Sequence, residues 1–412
     1  MSPRLRTILV SCLFIGVIGG IAWGMYALFF RSSSPVSTPT PPPAQVSPQV
    51  PDFPTTGIRT PVTPVDTGGT DSNQPKVVTP DLVARGGVTT IRSVSGSSAL
   101  FPIYRTGTND IVTYDRAKGQ FFKTPLSGGA VTPLADRRFP QAVEAIWSPT
   151  GNQVIVGFPD EAKVYYDFSA GKQATIPKQW EEIAFSKDGG QIAFKVMNDN
   201  PDKRWFAYGK PDGSEVNLVE PLGREAEKFI VSWSPNQQVA GLFNRPKGFS
   251  RQEVFLVGLH GENFKSMLVE GSGLLPQWSP DGAQLLYSVH PYDLDQGLKP
   301  ELWVVDASPE TIGQNRIQLN VQTWADKCVF EDAGHLLCAV PRELPRGAGP
   351  YRSLADDVPD DFYRVDTSSG LKTVIAQPDH DVRAENLQVM DAGQRLIFTD
   401  ALSGEVSELR LQ

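Results

Sequence analysis

The sequence predicts an all-β fold: a seven-bladed β-propeller of four-stranded antiparallel blades, carried on one transmembrane helix and a proline-rich linker. Three observations predict it. An uncharged apolar run covers 8–30, prolines crowd the segment that follows, and one hairpin pattern then recurs seven times.

The apolar run comes first. Residues 8–30 carry no charge, and at about 1.5 Å of rise per residue a helix of that length crosses a bilayer. Arg4 and Arg6 precede it, and basic residues are scarce after Arg31. This bias places residues 1–7 in the cytoplasm and the rest of the chain on the extracytoplasmic side of a cell membrane, as a single-pass protein. A cleaved signal peptide would have a shorter apolar region and a small-residue cleavage site. Leu9-Val-Ser-Cys12 looks like a lipobox, yet the long apolar run follows Cys12. Cys12 therefore reads as an ordinary helix residue.

Residues 31–86 form the expected linker. Twelve prolines fall between Pro35 and Pro80, among Ser, Thr, Val and Gly. Such a composition cannot bury enough apolar surface to fold. As a partly polyproline stalk it would reach up to about 3 Å per residue.

Residues 87–412 hold the repeat. First hairpins align on Tyr104, Trp147, Phe185, Trp233, Trp278, Phe330 and Met390. A polar turn follows each, such as SPTGNQ, SKDGGQ or SPDGAQ, and then an apolar strand such as VIVGF, IAFKV or LLYSV. Proline presets φ and glycine supplies positive φ, so these are turn signals. Short apolar runs between them read as strands. A second hairpin follows most of the first ones, as in YGKPDGSEVNLV and YRVDTSSGLKTVI. Two hairpins every roughly 40–60 residues match the period of a four-stranded blade. The seventh unit has only three strands, while the β-branched run Val88 to Val94 precedes the first unit without one of its own. Pairing the two closes the ring and leaves no open edge. The recurring aromatic reads as packing between blades.

With their W/F-S-P-D-G type turns at Trp147, Phe185, Trp233 and Trp278, residues 88–412 resemble the TolB-like and WD-repeat-like bacterial propellers, relatives of the N-terminal propellers of dipeptidyl-peptidase-type serine hydrolases. The resemblance implies the propeller fold. For function it implies a periplasmic scaffold or a substrate-gating domain. The membrane anchor is a departure from TolB, which is soluble.

Composition narrows the function. A formal charge of −8 and no basic stripe give nucleic-acid binding little electrostatic support. No G-x-S-x-G nucleophile turn occurs. His260, His290, His335 and His380 lie in or near different hairpin turns, without a zinc spacing. The chain is therefore expected not to be an enzyme, with no catalytic residue, cofactor or metal. Asp293-Leu-Asp295-Gln-Gly297 resembles the start of a calcium loop, but a third acid is missing and the glycine falls one place early. Calcium near Asp293 and Asp295 is the alternative. The acidic run DDVPDD, Asp356 to Asp361, reads as a solvated loop.

Cys328 and Cys338 flank one hairpin, KCVFEDAGHLLCAV. If Phe330 faces Leu336, then Cys328 faces Cys338, at a spacing that suits a cross-strand disulfide. An oxidising compartment favours it.

Recognition should show where blades depart from the common length. Blade four has NRPKGFSRQE, blade five HPYDLDQGLKPE and blade six PRELPRGAGPYRSLADDVPDD. All three join second and third strands, so they should share one face. Arg245, Lys247, Arg251, Tyr292, Arg342, Arg346, Tyr351 and Arg352 give that face Arg and Tyr, residues frequent at interfaces. The expected function is a membrane-anchored scaffold module binding a protein, a peptide or an envelope polymer. The alternative is an extracytoplasmic hydrolase or lyase with its site at the channel mouth.

Overall fold

The structure, a computed structural model, describes Trp23 and residues 79–412 apart from 96–99, 106, 127, 249, 293 and 296. The expected membrane helix, Trp23 excepted, and most of the expected linker lie outside the described residues. Among the described residues, no helix is long and apolar enough to cross a membrane. Two compact units divide the chain, Met1–Gln74 and Pro75–Gln412, and every strand among the described residues belongs to the second.

Seven sheets form the blades. Blades one to five are successive four-strand meanders over 100–133, 144–176, 180–221, 229–270 and 272–319. Blade six covers 328–378. Blade seven takes three strands from the C-terminal end, Ala384–Met390, Arg395–Asp400 and Glu405–Arg410. Its fourth strand is Arg92–Ser93, antiparallel, with Arg92 opposite Glu408 and Ser93 opposite Ser407. The N-terminal strand thus closes the ring.

One strand was not foreseen. Val88–Thr89 lies parallel to the outer strand of blade six, Lys372–Pro378, and makes that sheet five-stranded. Packing starts earlier still, inside the segment expected as linker. Ala84 N donates to Arg410 O at 2.8 Å, and Gly86 N to Ile375 O at 2.7 Å. The stem 81–94 therefore crosses the outer edges of blades six and seven and covers both.

The core is divided among the seams between blades. Tyr114, Phe121 and Phe139 pack with Trp147 between blades one and two. Leu256 and Met267 meet Leu274 and Tyr287 between blades four and five. Met390, Ile397 and Val406 meet Ile111 where blade seven returns to blade one. Each of the other four seams has its own cluster. Seven seams for seven blades describe a closed ring. Burying one such large apolar side chain contributes about 1.5–3 kcal/mol.

The repeated turn has a physical reason for each letter. The aromatic bridges a seam: Trp147 Nε1 donates to Phe101 O of blade one at 3.0 Å, and Trp278 Nε1 to Ser232 Oγ of blade four at 2.9 Å. The next serine is buried and anchors the hairpin. Ser279 Oγ donates to Asp281 Oδ1 at 2.6 Å and accepts from Gln284 N at 2.9 Å. Ser186 with Asp188 and Ser234 with Asn236 repeat this. The serine hydroxyl, with a backbone N–H, holds Asp188 and Asp281 below the usual carboxylate range. Gly282 completes the turn at φ 73°.

Four first strands carry a bulge, with Phe101, Glu182, Gly273 or Asn386 left-handed at the register shift. Gly273, and more weakly Asn386, are residue types that take such a conformation readily; Phe101 and Glu182 are not. In blade six, Cys328 pairs with Cys338 and Phe330 with Leu336. The two cysteines form a disulfide with Cα atoms 4.0 Å apart.

Candidate functional site

In an up-and-down blade, the first and third turns lie on one face of the ring, the turn face. The second connection, and each link to the next blade, lie on the other. The long connections of blades five and six therefore emerge on one face, the insert face, and there they join. Gly347 N donates to Gly297 O and Gly349 N to Leu298 O, both at 2.8 Å. Arg346 Nη2 donates to Leu294 O at 2.7 Å.

The blade-six insert also has a small core of its own. Trp324, Leu344, Ala348 and Ala355 pack together with Leu275 and Val358. Leu275 belongs to the first strand of blade five, Ser272–Trp278. On the other side, Arg383 Nη1 donates to Asp356 O and to Asp356 Oδ1, each at 2.8 Å. Arg383 lies on the link into blade seven. The insert is thus a platform fixed to blades five, six and seven. Its path is tight at Gly349, where a Cβ would stand 2.5 Å from Leu298 O and 2.6 Å from His290 Cβ. No side chain fits there. His290, half-buried beneath, has its pKa lowered by burial.

Below the platform lies a buried ion pair. Lys327 Nζ donates to Asp360 Oδ2 at 2.6 Å, and Ala384 N donates to the same oxygen at 2.8 Å. Asp360 is fully buried, and its Oδ1 has no partner. Burial pushes the Asp360 carboxyl up, against the pull of Lys327. The pair joins blade six to the start of blade seven. The acidic run expected as a solvated loop is therefore only half solvated. Asp356 and Asp357 are exposed, Asp360 is buried, and Asp361 accepts from Arg342 Nε at 2.9 Å.

Five of the eight expected interface residues belong to this region. Tyr292 and Tyr351 are 63% and 68% exposed. Arg346 is tied to the blade-five insert. Arg352 lies 4.9 Å over the Trp324 ring and donates to Asp326 Oδ2 at 2.6 Å. Arg342 also donates to Asp381 Oδ1 at 2.8 Å. The blade-four trio makes its contacts within its own blade. Arg245 stacks on Phe243 and Phe255, Lys247 pairs with Glu253 and Arg251 with Glu270.

Leu294 and Leu354, 63% and 49% exposed, were missed by a search for Arg and Tyr. The only cue was their place inside the long inserts. His260 and His380 are exposed, as expected of turn histidines; His290 and His335 are half-buried. Among the described residues no group of three or more His, Cys, Asp or Glu is placed to hold a metal ion. Asp295 is exposed, and Asp293 lies outside the described residues.

The ring and its inserts define a seven-bladed β-propeller. No family model matches the sequence, and no curated protein matches it. Solved structures do share the fold. The tricorn protease is 14% identical over 78% of this chain, with a TM-score of 0.50; the match spans 34% of that protein, about a third of its length. The β-propeller domain of the Trilobed protease from Pyrococcus furiosus is 11% identical over 77% of this chain and 95% of that one, with a TM-score of 0.48. Oligogalacturonate lyase in complex with manganese is 13% identical over 78% and 90%, with a TM-score of 0.46. These likenesses concern the fold. They also correct the expectation that the chain is not an enzyme: the tricorn protease, an enzyme, has this architecture within it. A missing nucleophile motif is no ground for that expectation.

Proposed function

We propose that the propeller is a membrane-tethered, extracytoplasmic binding module that holds a protein or an envelope polymer on its insert face. The platform is the observation that carries this reading. Two inserts, hydrogen-bonded to each other, present Tyr292, Leu294, Tyr351 and Leu354 to solvent. Exposed aromatic and aliphatic side chains on a fixed support suit recognition, because little order is lost on binding. The uncharged run 8–30 would supply the tether. Nucleic acid is not among the expected partners of this acidic chain.

The test is a photo-crosslinking residue placed at Tyr351 or at Val131 in the full-length chain, in intact cells. Val131 is 57% exposed and lies on the turn face of blade one. A defined adduct from Tyr351 alone supports the reading. The same adducts from both positions overturn it.

A second reading, a hydrolase or lyase at the channel mouth, is favoured by the buried Lys327–Asp360 pair with its unpartnered carboxylate oxygen. Buried, shifted carboxyls are frequent in active sites. Turnover of an envelope polymer that Asp360→Asn abolishes without unfolding the ring would establish it. Turnover unaffected by the substitution would remove Asp360 from the chemistry.

A further inference from the structure

On the flank between blades five and six, beside the platform, lies a groove of about 410 Å³, within the range of small-ligand sites. Three cations reach it from separate parts of the chain: Lys299 from the blade-five insert, Arg342 from the blade-six insert and Lys372 from the outer strand of blade six. In a chain of net charge −8 three cations lining one groove are a local concentration of positive charge.

Two carboxylates face the same groove, Asp361 and Glu343. Asp361 is engaged by Arg342, which is held again by Asp381. That guanidinium is fixed and its charge is offset. Glu343 is exposed to solvent, as Lys372 is, and salt screens both. The two lysines remain. Lys372 Nζ lies 5.2 Å over the Tyr363 ring. Lys299 forms no ion pair among the described residues. Val340 and Leu344, both buried, form an apolar floor, and the amides of Asn320 and Gln322 stand at the rim.

We propose that this groove binds a sugar-sized ligand carrying one anionic group, a carboxylate or a phosphate ester. Lys299 and Lys372 meet the charge as ammonium donors. Tyr363 offers an aromatic face, and the two amides offer both donors and acceptors to hydroxyl groups. The proposal rests on the reading of the insert side as the binding side, and it names the chemistry of what is bound there.

The test is ligand-observed saturation-transfer NMR on the full-length chain with glucuronate, glucose 6-phosphate, glucose and inorganic phosphate. The expected result is saturable binding of glucuronate, glucose 6-phosphate or both, with Kd on the order of millimolar. The Lys299→Ala/Lys372→Ala variant should weaken it about tenfold or more, as should high salt. Lys118→Ala, on blade one, should leave it unchanged. Glucuronate alone identifies a sugar acid, and glucose 6-phosphate alone a phosphate ester. The proposal is overturned by equal binding of glucose, by inorganic phosphate binding as tightly as the sugars, by no binding, or by binding that the double variant leaves intact. Adducts at Tyr351 without sugar binding would remove this groove and leave the platform. Sugar binding without those adducts would do the reverse.

Discussion

The two faces of the ring come from the same repeat and are built on opposite rules. On the turn face, blades three to five close their first hairpin with the same serine-centred turn, and neighbouring turns touch: Asn236 Nδ2 of blade four donates to Gly282 O of blade five at 3.2 Å. On the insert face the connections differ in length, and the two longest fold onto each other and onto blade seven. Where the chain repeats itself it builds a ring. Where it departs from the repeat it builds the platform.

Substitutions can break that contrast, and the largest effect is expected beneath the platform. Asp360→Ala leaves the Lys327 ammonium buried without a partner and should cost about 3–5 kcal/mol. Replacing both residues by apolar ones of similar size should restore most of it. Chemical denaturation of the two variants checks this. If Asp360→Ala were nearly neutral, the pair would not be what joins blades six and seven.

Next comes the repeated aromatic. Phe185 is buried at the seam of blades two and three, and Phe185→Ala should cost about 3 kcal/mol or more through the cavity it leaves. Thermal unfolding reads this directly. Removing the disulfide with Cys328→Ser/Cys338→Ser should cost about 2–3 kcal/mol on the loop-entropy account. Alkylation before and after reduction shows whether the bridge was present.

A smaller effect should be seen with pH. Burial holds the folded His290 pKa below its ordinary 6.5, so the unfolded chain takes up that proton first as pH falls. Its contribution is complete above 6.5 and declines as pH drops toward the folded value. Thermal midpoints between about pH 7.5 and about pH 5 should fall less for His290→Gln than for the parent. An equal fall in both would exclude His290. The smallest effect on stability is expected for Tyr351→Ser/Leu354→Ser, within about 0.5 kcal/mol by thermal unfolding.

Much of the ring was legible because its signals are local. Turn residues and period-two apolar runs mark each hairpin. The same register put Cys328 opposite Cys338 once Phe330 was set opposite Leu336. The three-strand seventh unit pointed to Arg92–Ser93. What stayed hidden depends on contacts between distant segments. Nothing in VT told that Val88–Thr89 would join blade six. Nothing in DDVPDD separated the buried Asp360 from the exposed Asp357. Burial there is set by Lys327 and by the link into blade seven. The platform was half legible: long inserts were visible as departures, but their mutual hydrogen bonds and the exposed Leu294 and Leu354 were not.

The most direct measurement replaces residues 342–359 by the short turn that joins the second and third strands of blade seven, residues 401–404. The account predicts a chain that keeps its all-β circular dichroism spectrum and its disulfide, yet no longer forms a crosslink from the remaining Tyr292. A shortened chain that fails to fold, or that folds and still forms that crosslink, would contradict the division between a repeated ring and a recognition platform.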